Sequence, residues 1–244
     1  MEIDDFRNEE NVLDSLREFL NDSMTDSLHV LEDEIDIGVQ MKYFEAAREV
    51  KKNLNESETL AEKDKLFDDR VPEEEKRLLL NKLASVNSIE AFRTIEKYAS
   101  QPDEGLKEWS KLACHESRML IQSRLLDENQ IFISTGLGGK SNKLRYFLVL
   151  FPNNGLFTSF QSGVVEKEFQ YVFNKYDAVI EEVNSFDRYL TMMVLVPIAQ
   201  PLRDLFMEAI CECNQFGNFI NERFIVTNVK RLGKEEILEI IQKD

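Results

Sequence analysis

Apolar residues recur at helical spacing through the first half of the chain. Between residues 8 and 21 they fall at positions i, i+1, i+4, i+7 and i+8, counted from Val12, which is one face of an amphipathic helix. The same spacing predicts further helices over residues 38–54, 72–85, 88–101 and 103–126. Ser88 has the side chain expected of a helix N-cap.

Residues 88–126 contain two of these helices, joined by a turn that includes Pro102. The pattern consists of Ala91, Phe92 and Ile95 in the first helix, Pro102 and Asp103 at the turn, and Leu106, Trp109, Leu112 and Ala113 in the second helix. This stretch resembles a HEAT repeat, and the helix over 72–85 is similar to the second helix of a preceding repeat. The resemblance implies an alpha-alpha superhelix, a solenoid that is used for protein binding.

Together these helices predict an all-helical, HEAT-like region over residues 1–127. Within it, residues 1–54 are predicted to form acidic helices and residues 72–126 to form helical hairpins. Residues 55–69 are polar and charged, with few apolar anchors. We expect them to be a linker or the weakest part of the fold.

Near residue 130 the apolar pattern changes from helical to strand-like. Short apolar runs at 131–133 and 144–151 predict a β-hairpin. The elements predicted next are a helix (162–176), two strands (178–183 and 189–196), a helix (201–216), a strand (223–229) and a helix (234–242). This order predicts an α+β domain over residues 128–244 with a ferredoxin-like antiparallel sheet and helices on one face. The whole chain is thus an α + (α+β) protein.

The net charge of −16 is concentrated near the N-terminus, because residues 1–69 hold 21 acidic and 8 basic residues. Such a surface repels phosphate groups, which argues against nucleic acid and anionic membranes as partners. It would suit a protein partner with a basic surface. The alternative is that the acidic surface only keeps the protein in solution.

Cysteine usage and the first residues of the chain bear on the compartment. The three cysteines, Cys114, Cys211 and Cys213, have no framework spacing and predict free thiols in a reducing environment. The first residues have neither a basic segment nor an apolar one, and no apolar run approaches the roughly 20 residues of a membrane span. We expect a cytoplasmic protein.

The sequence from Ser134 to Ser141 follows a predicted strand and ends in Gly-Lys-Ser, as phosphate-binding P-loops do. A P-loop leads into a helix whose N-terminus faces the phosphates, whereas the residues after Ser141 predict a strand. A mobile hairpin tip is the simplest interpretation. A small anion or an acidic peptide is the alternative ligand, and the candidate binding residues are Gly136, Gly138, Gly139, Lys140, Lys143 and Arg145.

The chain offers little material for metal binding or histidine chemistry. Cys211 and Cys213 are two residues apart on a predicted helix, so their side chains diverge. His29 and His115 are its two histidines. We predict no metal, no cofactor and no catalytic residue.

We therefore predict a non-catalytic protein-protein interaction or adaptor protein that uses the helical half as its binding surface. Two alternatives stay open. One is a small-ligand-binding regulatory module in the C-terminal α+β domain, and the other is an enzyme without a recognisable motif.

Overall fold

The computed structural model describes residues 28–127 and 131–243, and their side chains up to residue 240. These residues form a mixed helix-and-strand protein with two compact units. The helical unit consists of residues 35–132, and the mixed unit contains the residues from 133 onward. The helix predicted over residues 8–21 lies outside the described residues.

The residues just before the helical unit belong to the mixed unit. Strand β1 (Leu28–Val30) lies there, and Val30 is buried in the core of the mixed unit. The predicted all-helical region over residues 1–127 is therefore wrong for residues 28–34. Three strand residues are too few for a period-two pattern to stand out in the sequence.

Among its described residues, the helical unit contains four helices that the sequence predicts and three shorter ones. They are α1 (Ile37–Lys51), α2 (Glu56–Ala61), a 3-10 helix (Lys63–Phe67), α3 (Glu73–Ala84), α4 (Ile89–Ser100), a second 3-10 helix (Glu104–Leu106) and α5 (Lys107–Leu126). Ser88 accepts a hydrogen bond from the N–H of Glu90, which confirms the predicted N-cap of α4. None of the helices described in either unit is long and apolar enough to cross a membrane.

Residues 55–69, expected to be a linker, are part of the helical unit. They form α2 and the first 3-10 helix, and the side chain of Asn55 caps α2 by accepting the N–H of Glu58. Leu66 is fully buried and Thr59 nearly so. A few buried side chains thus hold a segment whose remaining residues are polar, which is why its composition alone suggested a linker.

The mixed unit follows the order of elements that the sequence predicts. Strand β2 (Ile131–Ile133) begins in the helical unit and ends at the first residue of the mixed unit, Ile133. The elements that follow are β3 (Gly139–Lys140), β4 (Lys143–Pro152), α6 (Ser159–Lys175), β5 (Val179–Ser185), β6 (Leu190–Pro197), α7 (Leu202–Asn214), β7 (Ile220–Thr227) and α8 (Lys234–Lys243). The helices α6 and α7 pack on one face of the sheet through a large apolar core. A smaller core on the other face includes Ile237 of α8.

The sheet is antiparallel, with the strands in the order β7, β4, β6, β5. Leu148 in the middle of β4 pairs with Met192 of β6 on one side and with Val226 of β7 on the other. Strand β3 extends the sheet beside the first two residues of β4. In the part of the chain that the structure describes, β5 forms one edge of the sheet.

The predicted hairpin between residues 131–133 and 144–151 is wrong. The carbonyl of Ile133 accepts a hydrogen bond from the N–H of Leu31, 2.9 Å away, so the end of β2 is bonded to the segment that follows β1. Strand β4 forms its hairpin with the two-residue strand β3. The sequence favoured the wrong partner because residues 131–133 are more apolar than Gly139 and Lys140.

Candidate functional site

The glycine loop that the sequence singles out is packed, because residues 135–139 are all buried. A Cβ on Gly136 would lie 1.7 Å from the carbonyl oxygen of Val229, and one on Gly138 would lie 2.5 Å from that of Asp33. Gly138 also has a φ of +67°, a conformation that favours glycine. The glycines therefore allow close backbone packing, and the interpretation as a mobile tip is wrong.

Arg145, one of the candidate anion-binding residues, is surrounded by acceptors. Its Nε and Nη2 donate to the carboxylate of Glu181 at 2.5 and 3.1 Å. Its Nη1 donates to the carbonyl oxygens of Leu137 at 2.7 Å and Glu32 at 3.3 Å. The guanidinium thus ties the glycine loop to β4 and β5.

The other two cations of the predicted anion site do not converge with Arg145 on a common space. Lys143 lies 2.8 Å from the carboxylate of Asp177. Lys140 is exposed and has no ion pair with any residue that the structure describes. Anion or acidic-peptide binding by the loop remains a prediction, and two of its three candidate cations already bond carboxylates of the protein.

The cysteines and histidines are dispersed. In the ranges that the structure covers, no group of three or more His, Cys, Asp or Glu side chains is placed to hold a metal ion. Cys211 is exposed and Cys213 is buried, and burial raises the pKa of the Cys213 thiol to about 12. A thiol with so high a pKa is a poor nucleophile.

A groove between α6 and β5 is a concave surface of the mixed unit. It has a volume of about 730 Å³. Its residues come from the start of α6, from β5 and from the turn after β5, and they are Phe157, Ser159, Ser162, Gly163, Glu166, Gln170, Ile180, Glu181, Glu182, Val183, Ser185, Phe186 and Asp187.

One wall of the groove is the outer edge of β5, which pairs with no strand that the structure describes. Phe186 donates its N–H to the carbonyl of Tyr189 across the turn, and Ser185 pairs with Leu190 next to it. Hydrogen-bonded and non-hydrogen-bonded pairs alternate along an antiparallel ladder. The backbone N–H and C=O groups of Ser185 and Val183 therefore point away from β6, toward the open edge.

A bulge limits the length of this regular edge. The register between β5 and β6 shifts between Ile180 and Glu182, so that Glu181 is an additional residue. The carboxylates of Glu181 and Glu182 both accept hydrogen bonds from arginines. Glu181 accepts from Arg145, and Glu182 accepts from Nη1 of Arg231 at 2.7 Å. The regular open edge consequently lies in the second half of β5, where bulges do not interrupt pairing.

The opposite wall is a face of α6 that has small side chains near the start of the helix. Ser162 and Ser185 join the two walls at one end, because their hydroxyl oxygens lie 2.7 Å apart. Gly163 lies within the helix, and a Cβ built on it would meet no atom within 4 Å. Glycine in a helix costs about 0.5–1 kcal/mol of stability relative to alanine. Gly163 therefore lowers the stability of the protein although no neighbouring atom would clash with a side chain there.

The groove is acidic, and part of its charge is uncompensated. Glu166 on α6 and Asp187 in the turn are both exposed, and neither forms an ion pair with a residue that the structure describes. The aromatic side chain of Phe186, which also lines the groove, is exposed as well. An acidic groove with an exposed aromatic side chain is suited to a partner that carries both apolar and basic side chains.

The sequence patterns did not predict this groove. The predicted helix over 162–176 and its buried residues Val165, Phe169 and Val172 are confirmed. The signal that could have drawn attention to the other face was Gly163, next to Ser162, in a segment otherwise suited to a helix.

Comparisons with known proteins give little further information. No family model matches the chain, and no curated protein is similar to it at a meaningful level. One similar solved structure is described as a REP-associated tyrosine transposase bound to a REP hairpin. It has a TM-score of 0.32 and 12% identity, and the match covers 39% of this chain and 61% of that chain. A likeness at this level establishes neither fold nor function.

Proposed function

We propose that this chain is a non-catalytic interaction protein that binds an extended polypeptide segment as an additional strand on β5. The observation that carries the proposal is the open edge at Val183 and Ser185, which faces the groove beside α6. Strand addition uses unpaired backbone groups for affinity and side-chain pockets for specificity. The sequence favoured the helical half as the binding surface, whereas this proposal uses the mixed unit.

An extended segment suits the groove better than a small molecule. Pockets for small ligands enclose most of the ligand surface and are mainly apolar. This groove is open along its length, and its polar groups include a row of backbone N–H and C=O groups with the spacing of a strand. Binding of a small regulatory ligand is the second candidate, which its volume of about 730 Å³ would permit.

We also propose that the mixed unit is ferredoxin-like, that the helical unit contains HEAT-like hairpins and that the protein is cytoplasmic. The strand order and the two helices on one face support a ferredoxin-like arrangement of the mixed unit. The consecutive helices α3, α4 and α5, which contact one another and are joined by short connections, support HEAT-like hairpins over residues 72–126. The three cysteines form no disulfide, which supports a cytoplasmic protein.

Display of random ten-residue peptides tests strand addition on the purified full chain. Enriched peptides would be synthesised and their affinity measured for the wild type, Val183→Pro and the control Val183→Thr. Proline removes an outward N–H without breaking a bond to β6, and threonine keeps that N–H. We expect Val183→Pro to bind roughly tenfold more weakly, which corresponds to the loss of one or two hydrogen bonds.

Circular dichroism and thermal unfolding of the three proteins would verify that the proline variant is folded. Absence of any enriched peptide would contradict the proposal. Peptides that bind Val183→Pro and the wild type equally would contradict it as well.

A further inference from the structure

We infer that the segment bound at β5 is basic, with a Lys or Arg two residues from a large apolar side chain, both facing α6. This inference rests on the proposed function, because it describes the partner of the same groove. Two independent observations support the inference. They are the charge of the residues that line the groove and the spacing of residues along its two walls.

The charge of the lining excludes an acidic occupant. The groove is lined by four acidic residues and by no Lys or Arg among the described residues. Two of the four carboxylates are neutralised by arginines on β4 and after β7, while Glu166 and Asp187 have no such partner within the described part of the chain. A cleft lined by one sign of charge attracts the opposite sign.

The same charges exclude two occupants that the chain itself could provide. Residues 1–27 hold nine acidic and two basic residues, so they would be repelled by the groove. A second copy that paired antiparallel through β5, with Val183 opposite Ser185, would bring Glu181 of each copy opposite Asp187 of the other. Like charges opposite each other destabilise a strand pair. A basic segment of another protein is the occupant that remains.

The spacing along the two walls indicates where each side chain of the partner lies. Only residues 176–178 connect α6 to β5, so the two elements run in opposite directions. Four residues along a helix advance about 6 Å, and two residues along a strand advance about 6.6 Å. Starting from the contact between Ser162 and Ser185, Glu166 therefore comes alongside Val183.

Val183 and Ser185 both direct their side chains toward α6, because Val183 packs on the core beneath this helix and Ser185 contacts Ser162. Partner residues directly opposite these two positions share their face of the sheet. The partner residue opposite Val183 would lie near Glu166, where a Lys or Arg forms an ion pair. The partner residue opposite Ser185 would lie over the open space at Gly163, which has room for a large apolar side chain.

A charge-exchange experiment with displayed peptides tests this inference. The probe is a library of ten-residue peptides with Thr at every second position and all residues allowed at the others. It would be selected separately on the wild type, on Glu166→Lys and on Glu45→Lys. Glu45 is an exposed helical residue of the helical unit without an ion pair among the described residues, so it controls for net charge.

We expect the wild type and Glu45→Lys to select Lys or Arg two residues from a large apolar residue, in either order. Glu166→Lys should select Asp or Glu at the same position. A synthetic peptide of identical composition, with its basic residue moved to a Thr position, should bind the wild type about tenfold more weakly.

Two failures can be distinguished. If peptides are enriched and depend on the N–H of Val183, but show no charge preference or keep it in Glu166→Lys, the basic partner is wrong and strand addition stands. If no peptide is enriched, or if binding ignores Val183→Pro, both the proposed function and this inference are wrong.

Discussion

Gly155 and Gly163 share open space at the position of a Cβ but differ in backbone conformation. Neither Cβ would meet an atom within 4 Å, yet Gly155 has a φ of +68° while Gly163 lies inside α6. Alanine at Gly163 should therefore raise the free energy of unfolding by about 0.5–1 kcal/mol. Alanine at Gly155 should lower it by about 1 kcal/mol, because a left-handed conformation is unfavourable for alanine.

Urea denaturation of the two variants checks this contrast. A stabilised Gly163→Ala would mean that the chain keeps a glycine where its fold gains nothing from it, which is expected at a binding surface. If Gly163→Ala is destabilised instead, the glycine has a structural role and the open wall of the groove loses its significance.

Arg145 and Lys140, both predicted to bind an anion, should differ in their effect on stability. Arg145→Met removes the partner of Glu181 and leaves the carbonyl of Leu137 without its donor, so we expect a loss of about 2–3 kcal/mol in the free energy of unfolding. Lys140→Ala should change it by less than about 0.5 kcal/mol. Equal effects in urea denaturation would contradict the structural role of Arg145.

The effect of inorganic phosphate on the melting temperature tests whether the glycine loop binds an anion or only packs against its neighbours. If phosphate raises the melting temperature of the wild type but not that of Lys140→Ala, the loop is the anion site that the sequence predicts. We expect no such difference, because the cations beside Lys140 already bond Glu181 and Asp177.

The ion pair between Lys76 and Asp103 should make the stability of the helical unit depend on pH in the acidic range. The Lys76 side chain is 3% exposed, and its ammonium lies 2.6 Å from Asp103. The hydrogen bond from Lys76 holds the pKa of the Asp103 carboxyl below its usual value. A lowered carboxyl pKa means that the stabilisation is present above the unfolded-state pKa, about 3.9 for aspartate, and is lost as the pH falls through the folded-state pKa.

Asp103→Asn should lower the free energy of unfolding by about 2–3 kcal/mol at pH 7, less than for a fully buried pair because Asp103 is partly exposed. The difference from the wild type should shrink as the pH falls below about 4. Chemical denaturation of both proteins between pH 3 and pH 7 measures it. A difference that stays constant over this range would show that the ion pair is not its source.

The sequence predicted local structure better than long-range pairing. Helix α6 and its buried residues follow from apolar spacing, which is a property of neighbouring residues. The bond between Leu31 and Ile133 joins segments about a hundred residues apart, and nothing in either segment specifies the other. Contacts of this kind depend on the whole fold.

The candidate site was missed for a related reason. Gly136 and Gly138 attracted attention because glycines cluster there, but their close contacts with backbone carbonyls appear only in the folded chain. The groove depends on the missing side chain at Gly163 and on the outer edge of β5 at Val183, which no described strand covers. A sequence does not reveal the space between two elements.

Amide hydrogen exchange at Val183 and Ser185 is the sharpest test of strand addition on β5. In the full chain these two amides should exchange faster than that of Asn184, whose N–H the ladder alternation directs toward β6. With a selected peptide bound, strand addition predicts that both amides become protected while that of Asn184 changes little. Protection that appears only in the helical unit, residues 35–132, with Val183 and Ser185 unchanged, would show that the peptide does not bind on β5.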